Sequence, residues 1–393
     1  MHMLMRSHAV VVNYEDIRER KANMDVQEGL EGVVAFASKL SAIVGTTLTY
    51  CGYAIEDLAA HSTFEEVIYL LWHGRLPKQA ELDSFVHEIR SQYALPPEVH
   101  DFMQRLPIAV HPMEYVRTVI AVLALYDPDL ADNSQAANVR KATRLVARLP
   151  AIVAGFERLR QGKQPLPPKP AQDLATSFLY LLHGRDPDVE FARYLDTSLI
   201  VHADHEINAS TFAARVTVAT FSDMYSGVLS AIGTLKGPLH GGANEQVMQT
   251  LARIGSVDNV EAYLEGAMAR KERIMGFGHR VYKQGDPRAN ILRPMSKRMG
   301  EKNGQPQWYE MSVRMDEIME REKGLIPNVD FYSASTYYNM GIPIHLFTPV
   351  FVLSRVAGWT AHIMEQLRRN RLIRPRAAYV GPMEQKWQPP ANR

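Results

Sequence analysis

The stretch Lys236-Gly237-Pro238-Leu239-His240-Gly241-Gly242 sets one imidazole among glycines, where a backbone or ligand can approach closely. Its place at the end of a long helical stretch puts His240 near the start of a following helix. A helix N-terminus disfavours imidazolium, so a neutral, donating His240 is expected; a helix terminator with an incidental histidine fits the same residues. Asp330 sits between apolar neighbours in Asn328-Val329-Asp330-Phe331-Tyr332-Ser333. Partial desolvation there raises a carboxylate's basicity, and a surface turn or helix cap is the plain alternative.

A third segment, Gly276-Phe277-Gly278-His279-Arg280-Val281-Tyr282-Lys283-Gln284-Gly285-Asp286-Pro287-Arg288, gathers glycines, a histidine and cations. Glycine-rich backbone beside positive charge suits phosphate or carboxylate ligands. The order is neither that of a P-loop nor of a dinucleotide fingerprint. His202-Ala203-Asp204-His205-Glu206 invites a zinc reading, but its His-x-x-His-Glu spacing is not the His-Glu-x-x-His of metalloproteases. Two core histidines satisfied by hydrogen bonds are the plainer reading. Arg355 and His362 are seven apart and share a helix face, and Arg374-Pro375-Arg376 follows in an extended stretch. Arginine grips carboxylates through two parallel hydrogen bonds.

The elements that must position these groups are mostly helical. Ser62-Thr63-Phe64-Glu65 reads as a capping box, followed by Phe64, Val67, Ile68 and Leu71 at helical spacing. Asn208 to Ser210 offer N-caps for a long segment whose apolar positions Phe212, Val216, Ala219, Val228, Ile232 and Leu235 suit buried packing. Pro349 suits the first turn of a further helix, with Val352, Val356, Trp359 and Ile363 as one stripe. Strand signals are sparse; His8 to Tyr14 could form a small hairpin. Gly162 to Pro170 reads as a proline-rich surface connection, and Gly300 to Gln307 as a second polar break.

Length sets the scale: 393 residues suggest two or three domains at about 150 residues each. The formal net charge of +1, from 44 basic and 43 acidic side chains, argues against a nucleic-acid or membrane surface. Any anion must therefore be held by locally placed arginines. Cys51 is the single cysteine, so no internal disulfide or cysteine-based metal cluster can form. No apolar run approaches the roughly 20 residues of a membrane helix, and the N-terminus lacks a signal-peptide core. The cytoplasm is the expected location.

Taken together, the segments resemble the citrate synthase family. The match runs from Gly29-Leu30-Glu31-Gly32-Val33 to Arg374-Pro375-Arg376, with HADHE, GPLHGGANE, the 276–288 signature, NVDFYSAS and the C-terminal arginines in the family's order. The resemblance implies an all-α, two-domain fold with the active site in the cleft: residues 1–235 the first part of a large domain, 236–335 a small domain, and 336–393 the rest. It implies a homodimer in which Arg374 reaches the partner's site.

It also implies roles. Asp330 becomes the base that deprotonates the thioester methyl group, His240 the donor to the enol oxygen, and His279 the group that polarises the oxaloacetate ketone. His205, Arg288, Arg355 and Arg374 correspond to oxaloacetate ligands. Arg273, Ile274, Met275, Gly276 and Phe277 correspond to a CoA-contacting loop, and Lys283 to a cation near the CoA phosphates. The expected reaction is citrate synthesis from acetyl-CoA, oxaloacetate and water in the tricarboxylic acid cycle, with no metal and no redox cofactor. Methylcitrate synthesis from propionyl-CoA shares the motifs; a metal-dependent hydrolase on His202, His205 and His240, or an inactive helical scaffold, are readings from other classes. Ala378 stands where relatives often carry an acid, and the compact length lacks the extra N-terminal region of relatives inhibited by NADH.

Overall fold

The computed structural model describes residues 26–278, 282, 285–383 and 385–393. Described residues up to Ala37 group with Ile373–Arg393 in one unit, and Ser38–Leu372 form a second, larger one. The expected hairpin at His8 to Tyr14, and His279 and Lys283, lie outside the described residues.

The larger unit opens with a small antiparallel sheet, β1 (Ser41–Val44), β2 (Thr47–Tyr50) and β3 (Tyr53–Ala54), in the order β1-β2-β3. The sequence reading passed over it, although Val44-Gly45-Thr46-Thr47 is a two-residue glycine loop between β-branched runs. Gly45 adopts φ 64° there. Helices make up the rest: α1 (Ile55–His61), α2 (Phe64–His73), α3 (Gln79–Ser91), α4 (Pro97–Arg105), α5 (Pro112–Leu125), α6 (Gln135–Arg160), α7 (Leu174–His183) and α8 (Val189–His202). After the HADHE segment come α9 (Ala209–Val218), α10 (Met224–Leu235), α11 (Ala243–Ile254), α12 (Val260–Ala269), α13 (Pro287–Lys302), α14 (Gln307–Lys323), α15 (Val329–Asn339) and α16 (Phe347–Arg368). The fold is all-α apart from the small sheet. Among the described residues, no helix is long and apolar enough to cross a membrane.

Helix α16 is the axis of the larger unit. It packs on α6, α9, α10 and α2, and it is buried without interruption from Phe347 to Met364. The expected stripe of Val352, Val356, Trp359 and Ile363 is inside, but so is every other face, as for a helix surrounded by helices. Each fully buried large apolar side chain contributes about 1.5–3 kcal/mol, so this one element anchors much of the core. Pro349 occupies the third position of α16 rather than opening it. That position still lies in the first turn, whose backbone N–H groups have no intrahelical acceptor.

Two local readings need correction. The capping box is Thr63 with Glu66, one residue beyond the expected pair: Glu66 N–H donates to Thr63 Oγ1 at 3.3 Å, and Thr63 N–H to Glu66 Oε2 at 2.7 Å. Ser62 cannot serve because its N–H closes α1 on Leu58 O. Glu65 turns inward instead and accepts from Leu174 N–H at the start of α7 (2.9 Å), while Asp196 accepts from Phe64 N–H (2.9 Å). Buried carboxylates thus satisfy two helix N-termini. Burial pushes both acids well above the usual carboxylate range, and Asp196 and Asp173 push Glu65 further.

The long segment after Asn208 is also two helices. Asn208 caps α9 as expected, but Asp223 starts α10 afresh by accepting from Ser226 N–H (2.9 Å). Phe212 and Val216 are only half-buried. The face of α9 turned inward carries Arg215, which meets Glu365 (2.6 Å), His362 Nδ1 (3.0 Å) and Gln366 (3.1 Å) on α16. A satisfied guanidinium, rather than the apolar stripe, sets the rotation of α9. The proline-rich stretch 162–170 does connect α6 to α7 at the surface, and the second polar break separates α13 from α14.

Candidate active site

Asp330 is placed by its own helix start. Asn328 is the N-cap of α15 and accepts from Asp330 N–H at 3.1 Å. Asn328 is itself tied down, its N–H to Gly276 O (2.9 Å) and its side-chain amide to Gly278 O (3.0 Å). Both readings of the NVD segment therefore hold: it is a helix cap, and the cap presents a carboxylate. Asp330 Oδ1 is sealed from solvent and has no hydrogen-bond partner. Burial pushes the carboxyl up to about 6, opposed by the positive charges of Arg288 and Arg355.

His240 lies in the turn between α10 and α11, closed by Gly241 N–H to Leu235 O (2.9 Å). Its imidazole faces the first turn of the earlier α9, not the helix that follows it in sequence. Ser210 N–H donates to His240 Nε2 at 3.3 Å, and Ser210 Oγ lies 2.8 Å from the same nitrogen. An N–H group can only donate, so Nε2 is the acceptor and the neutral ring carries its proton on Nδ1. Burial, aided by Arg355, pushes the imidazolium pKa down to about 4. The expected neutral state is present, and burial is its leading cause. Ser210 Oγ also accepts from Trp359 Nε1 (3.1 Å), so α16 braces the arrangement.

The HADHE segment divides its two histidines. His202 is fully buried at the end of α8, with Nδ1 2.7 Å from Ser198 O, and burial pushes its pKa down to about 3. It is a core histidine. His205 lies 3.2 Å from Tyr282 Oη through Nε2. Between them, Asp204 accepts from Ser41 Oγ (2.5 Å) and meets His362 Nε2 (3.0 Å), pinning the segment between β1 and α16. Gly358 permits that contact: its N–H donates to Ala203 O at 3.1 Å, and an added Cβ would stand 2.4 Å from the same oxygen. Among the described residues, no three His, Cys, Asp or Glu side chains group as a metal would need.

The arginines are fixed by different means. Asp286 caps α13 and holds Arg288 with two bonds, Nε to Oδ1 (2.9 Å) and Nη2 to Oδ2 (2.8 Å). Burial works against the Arg288 charge, but the Asp286 carboxylate more than offsets it and leaves the guanidinium firmly protonated. Arg355 donates through Nε to His202 O (2.7 Å) and lies over the Phe351 ring at 4.7 Å. Burial lowers its pKa to about 10, which still leaves it cationic at neutral pH.

These parts converge. A cavity of about 640 Å³ is lined by His205, His240, Arg288, Asp330 and Arg355. Arg273, Met275, Gly276 and Phe277 complete one wall. Gly276 has φ 85°, and a Cβ there would meet Val247 and Phe331 within 3 Å, so the loop is tightly seated. Ile274, its neighbour, packs against the core instead. Arg374 is exposed and belongs to the other unit, so the larger unit alone does not contain it. Sequence reasoning missed Ser210, Trp359 and the anchoring role of Asp286. Of these only Asp286 carried a local signal, an aspartate immediately before a proline at a helix start. Chemically, the cavity sets a carboxylate of raised basicity and a neutral imidazole donor beside two buried cations.

Comparison with known proteins gives a consistent answer. The sequence model of the family described as "Citrate synthase, C-terminal domain" matches residues 29–376. The chain is 52% identical over 367 residues to citrate synthase 2 of Bacillus subtilis, covering 93% of this chain and 99% of that protein. It is 44% identical over 359 residues to 2-methylcitrate synthase of Mycobacterium tuberculosis, covering 91% of each. The solved citrate synthase of Pyrobaculum aerophilum matches with a TM-score of 0.87 at 39% identity, over 94% of this chain and 95% of that one. The Thermoplasma acidophilum citrate synthase, solved as a ternary complex with carboxymethyl coenzyme A and oxaloacetate, matches with a TM-score of 0.89 at 35% identity, over 94% and 100%.

Proposed function

The chain belongs to the citrate synthase family, whose members transfer acyl groups and convert them into alkyl groups, and we propose that it makes citrate from acetyl-CoA, oxaloacetate and water. The observation that carries this is the shared cavity of His240 and Asp330, with Arg288 and Arg355 beside them. The Thermoplasma acidophilum relative binds oxaloacetate together with a CoA analogue, which supports the same pair of substrates here.

In this reading Asp330 takes a proton from the thioester methyl carbon. The C–H electron pair moves toward the carbonyl, and the resulting enolate oxygen accepts a hydrogen bond from His240 Nδ1–H. The enolate carbon bonds to the ketone carbon of oxaloacetate, whose oxygen takes a proton; by family resemblance His279 delivers it. Water then cleaves the citryl thioester to citrate and CoA. A positioned base contributes about 10²–10⁴-fold, and one donor at the oxyanion about 2.7–4 kcal/mol. No metal or redox cofactor enters any step.

Oxaloacetate brings two carboxylates, and Arg288, Arg355 and His205 line the cavity to receive them. A guanidinium has five donors; Asp286 occupies two of those on Arg288, so the rest can reach a ligand. Arg374 supplies a further grip across a homodimer interface, and Arg374→Lys weakens oxaloacetate binding because a point charge replaces a fork. Residues 273–277 receive CoA, and by family resemblance Lys283 supplies a cation for its phosphates. Residues 236–335 act as a small domain that closes once oxaloacetate is bound, so substrates bind in that order and acetyl-CoA escapes premature hydrolysis. The reaction takes place in the cytoplasm.

Citrate is favoured over methylcitrate by the 52% identity to a citrate synthase against 44% to a 2-methylcitrate synthase. The decisive experiment measures thiol release from acetyl-CoA and from propionyl-CoA, with and without oxaloacetate and a chelator. Faster, oxaloacetate-dependent and chelator-insensitive release from acetyl-CoA is expected. Release without oxaloacetate, or none, overturns the reading; preference for propionyl-CoA replaces it with methylcitrate synthesis.

A further inference from the structure

The turn that carries His240 is gripped at both flanks by side chains from distant parts of the chain. Before it, Lys236 pairs with Glu114 in the first turn of α5. After it, Glu245 in the first turn of α11 reaches the start of α16. Glu245 Oε1 accepts from Thr348 N–H (3.2 Å) and from the Thr348 hydroxyl. That hydroxyl also stands 3.3 Å from the carbonyl oxygen of Gly241, the residue after His240.

Each contact answers a physical need. Helix α16 has Leu346 at its N-cap, whose side chain has no oxygen to offer. The first N–H groups of a helix lack an intrahelical acceptor, and its N-terminus favours negative charge. The Glu245 carboxylate supplies both acceptor and charge from 103 residues away. Its other oxygen faces His111. Met113 N–H donates to His111 Nδ1 (3.2 Å), so the neutral ring carries its proton on Nε2, 4.0 Å from Glu245 Oε2. Thr348 is 2% exposed and the Glu245 side chain 13%, so water is a poor substitute for either partner. The turn itself has no slack: a Cβ on Gly241 would stand 2.5 Å from Leu235 O.

The consequence falls on His240. Ser210 fixes its ring but not the backbone that carries it. A donor serves a developing oxyanion only when it lies about 2.7–3.1 Å from that oxygen. A misplacement of about 1 Å can cost about a hundredfold in rate.

We propose that Glu245 is a positioning residue for His240, acting through Thr348 and the Gly241 carbonyl to hold the turn against α16. This rests on the role given to His240 in the reaction proposed for this chain.

The test compares the full-length parent with Glu245→Ala, Glu245→Gln and Thr348→Val. Turnover of acetyl-CoA is measured beside calorimetric binding of oxaloacetate, of CoA, and of carboxymethyl coenzyme A with oxaloacetate present. The carboxylate of that analogue stands in for the enolate, so its affinity reports on the His240 donor. Glu245→Ala and Thr348→Val are expected to lower kcat by about 10–100-fold and to weaken the analogue in parallel, with oxaloacetate and CoA affinities unchanged. Glu245→Gln keeps an acceptor for Thr348 and is expected to recover most of that loss. Parent-like kcat in Glu245→Ala, a loss that follows oxaloacetate or CoA affinity instead of the analogue, or a Glu245→Gln as impaired as Glu245→Ala overturns the proposal. Where Glu245→Ala does not fold, Thr348→Val decides, since it exchanges a hydroxyl for a methyl of similar size. A parent that neither binds oxaloacetate nor turns over acetyl-CoA removes the underlying reaction, and the proposal with it; an active parent with undisturbed variants removes the proposal alone.

Discussion

Asp286 and Arg288, two residues apart, form a two-pronged ion pair of 2.9 and 2.8 Å that is sealed from solvent. The same carboxylate caps α13 through Arg288 N–H (3.1 Å) and holds Val329 N–H (3.0 Å) at the head of α15. One side chain therefore sets the relative position of a buried cation and of Asp330. Removing it leaves Arg288 buried without its counter-charge. Asp286→Ala is expected to lose about 3–5 kcal/mol of stability. Urea unfolding measures this, and a loss below about 1 kcal/mol would show that the pair is not a structural anchor.

The unpaired oxygen of Asp330 trades stability for basicity. Asp330→Asn is expected to lose about 10²–10⁴-fold in turnover while oxaloacetate affinity is retained. Its pKa of about 6 lies above the usual carboxylate value, so the folded protein holds this proton longer than the unfolded chain does. The resulting stability is present at low pH and is lost as pH rises through about 6. Above that pH, Asp330→Asn is expected to be more stable than the parent, by up to about 3 kcal/mol. Turnover and urea midpoints at pH 5 and pH 8 test both halves. Near-normal turnover removes Asp330 as the base.

Gly358 on α16 touches the HADHE segment where no side chain fits. A Cβ would stand 2.4 Å from Ala203 O and 2.7 Å from Asp204 Oδ1. Backbone cannot yield as a flexible side chain can, so Gly358→Ala must displace the segment that carries His205. A stability loss of about 1–3 kcal/mol and a raised KM for oxaloacetate are expected. An unchanged KM would uncouple His205 from α16.

Glu65 is a buried acid with Asp196 and Asp173 as like-charged neighbours. Its pKa is raised on folding, so its contribution is full below the unfolded value and fades as pH rises through the folded one. Glu65→Gln keeps an oxygen for Leu174 N–H but cannot ionise. It is expected to gain stability relative to the parent between pH 6 and pH 9, read from urea midpoints. A constant difference across that range would place the proton elsewhere.

Helical periodicity alone was enough to read a mostly α fold, because a stripe every three to four residues needs no partner to be visible. Asn208 as a cap and the buried stripe on α16 were legible for the same reason. The capping register at Thr63 was not, since two overlapping Ser/Thr-x-x-Glu frames differ only in which N–H the preceding helix has already used. The rotation of α9 was set by Arg215 meeting α16, a contact 147–151 residues away in sequence.

The site divides along the same line. His240, Asp330, Arg288 and Arg355 could be named from their motifs, because glycines, caps and charge clusters are local features. Their chemistry was decided by neighbours distant in the chain. Ser210 N–H puts the His240 proton on Nδ1, and burial raises Asp330 while lowering His240. Residue identity and order were in the sequence; protonation state and unmet hydrogen bonds came from tertiary burial, because solvation is set by what lies around a group in space.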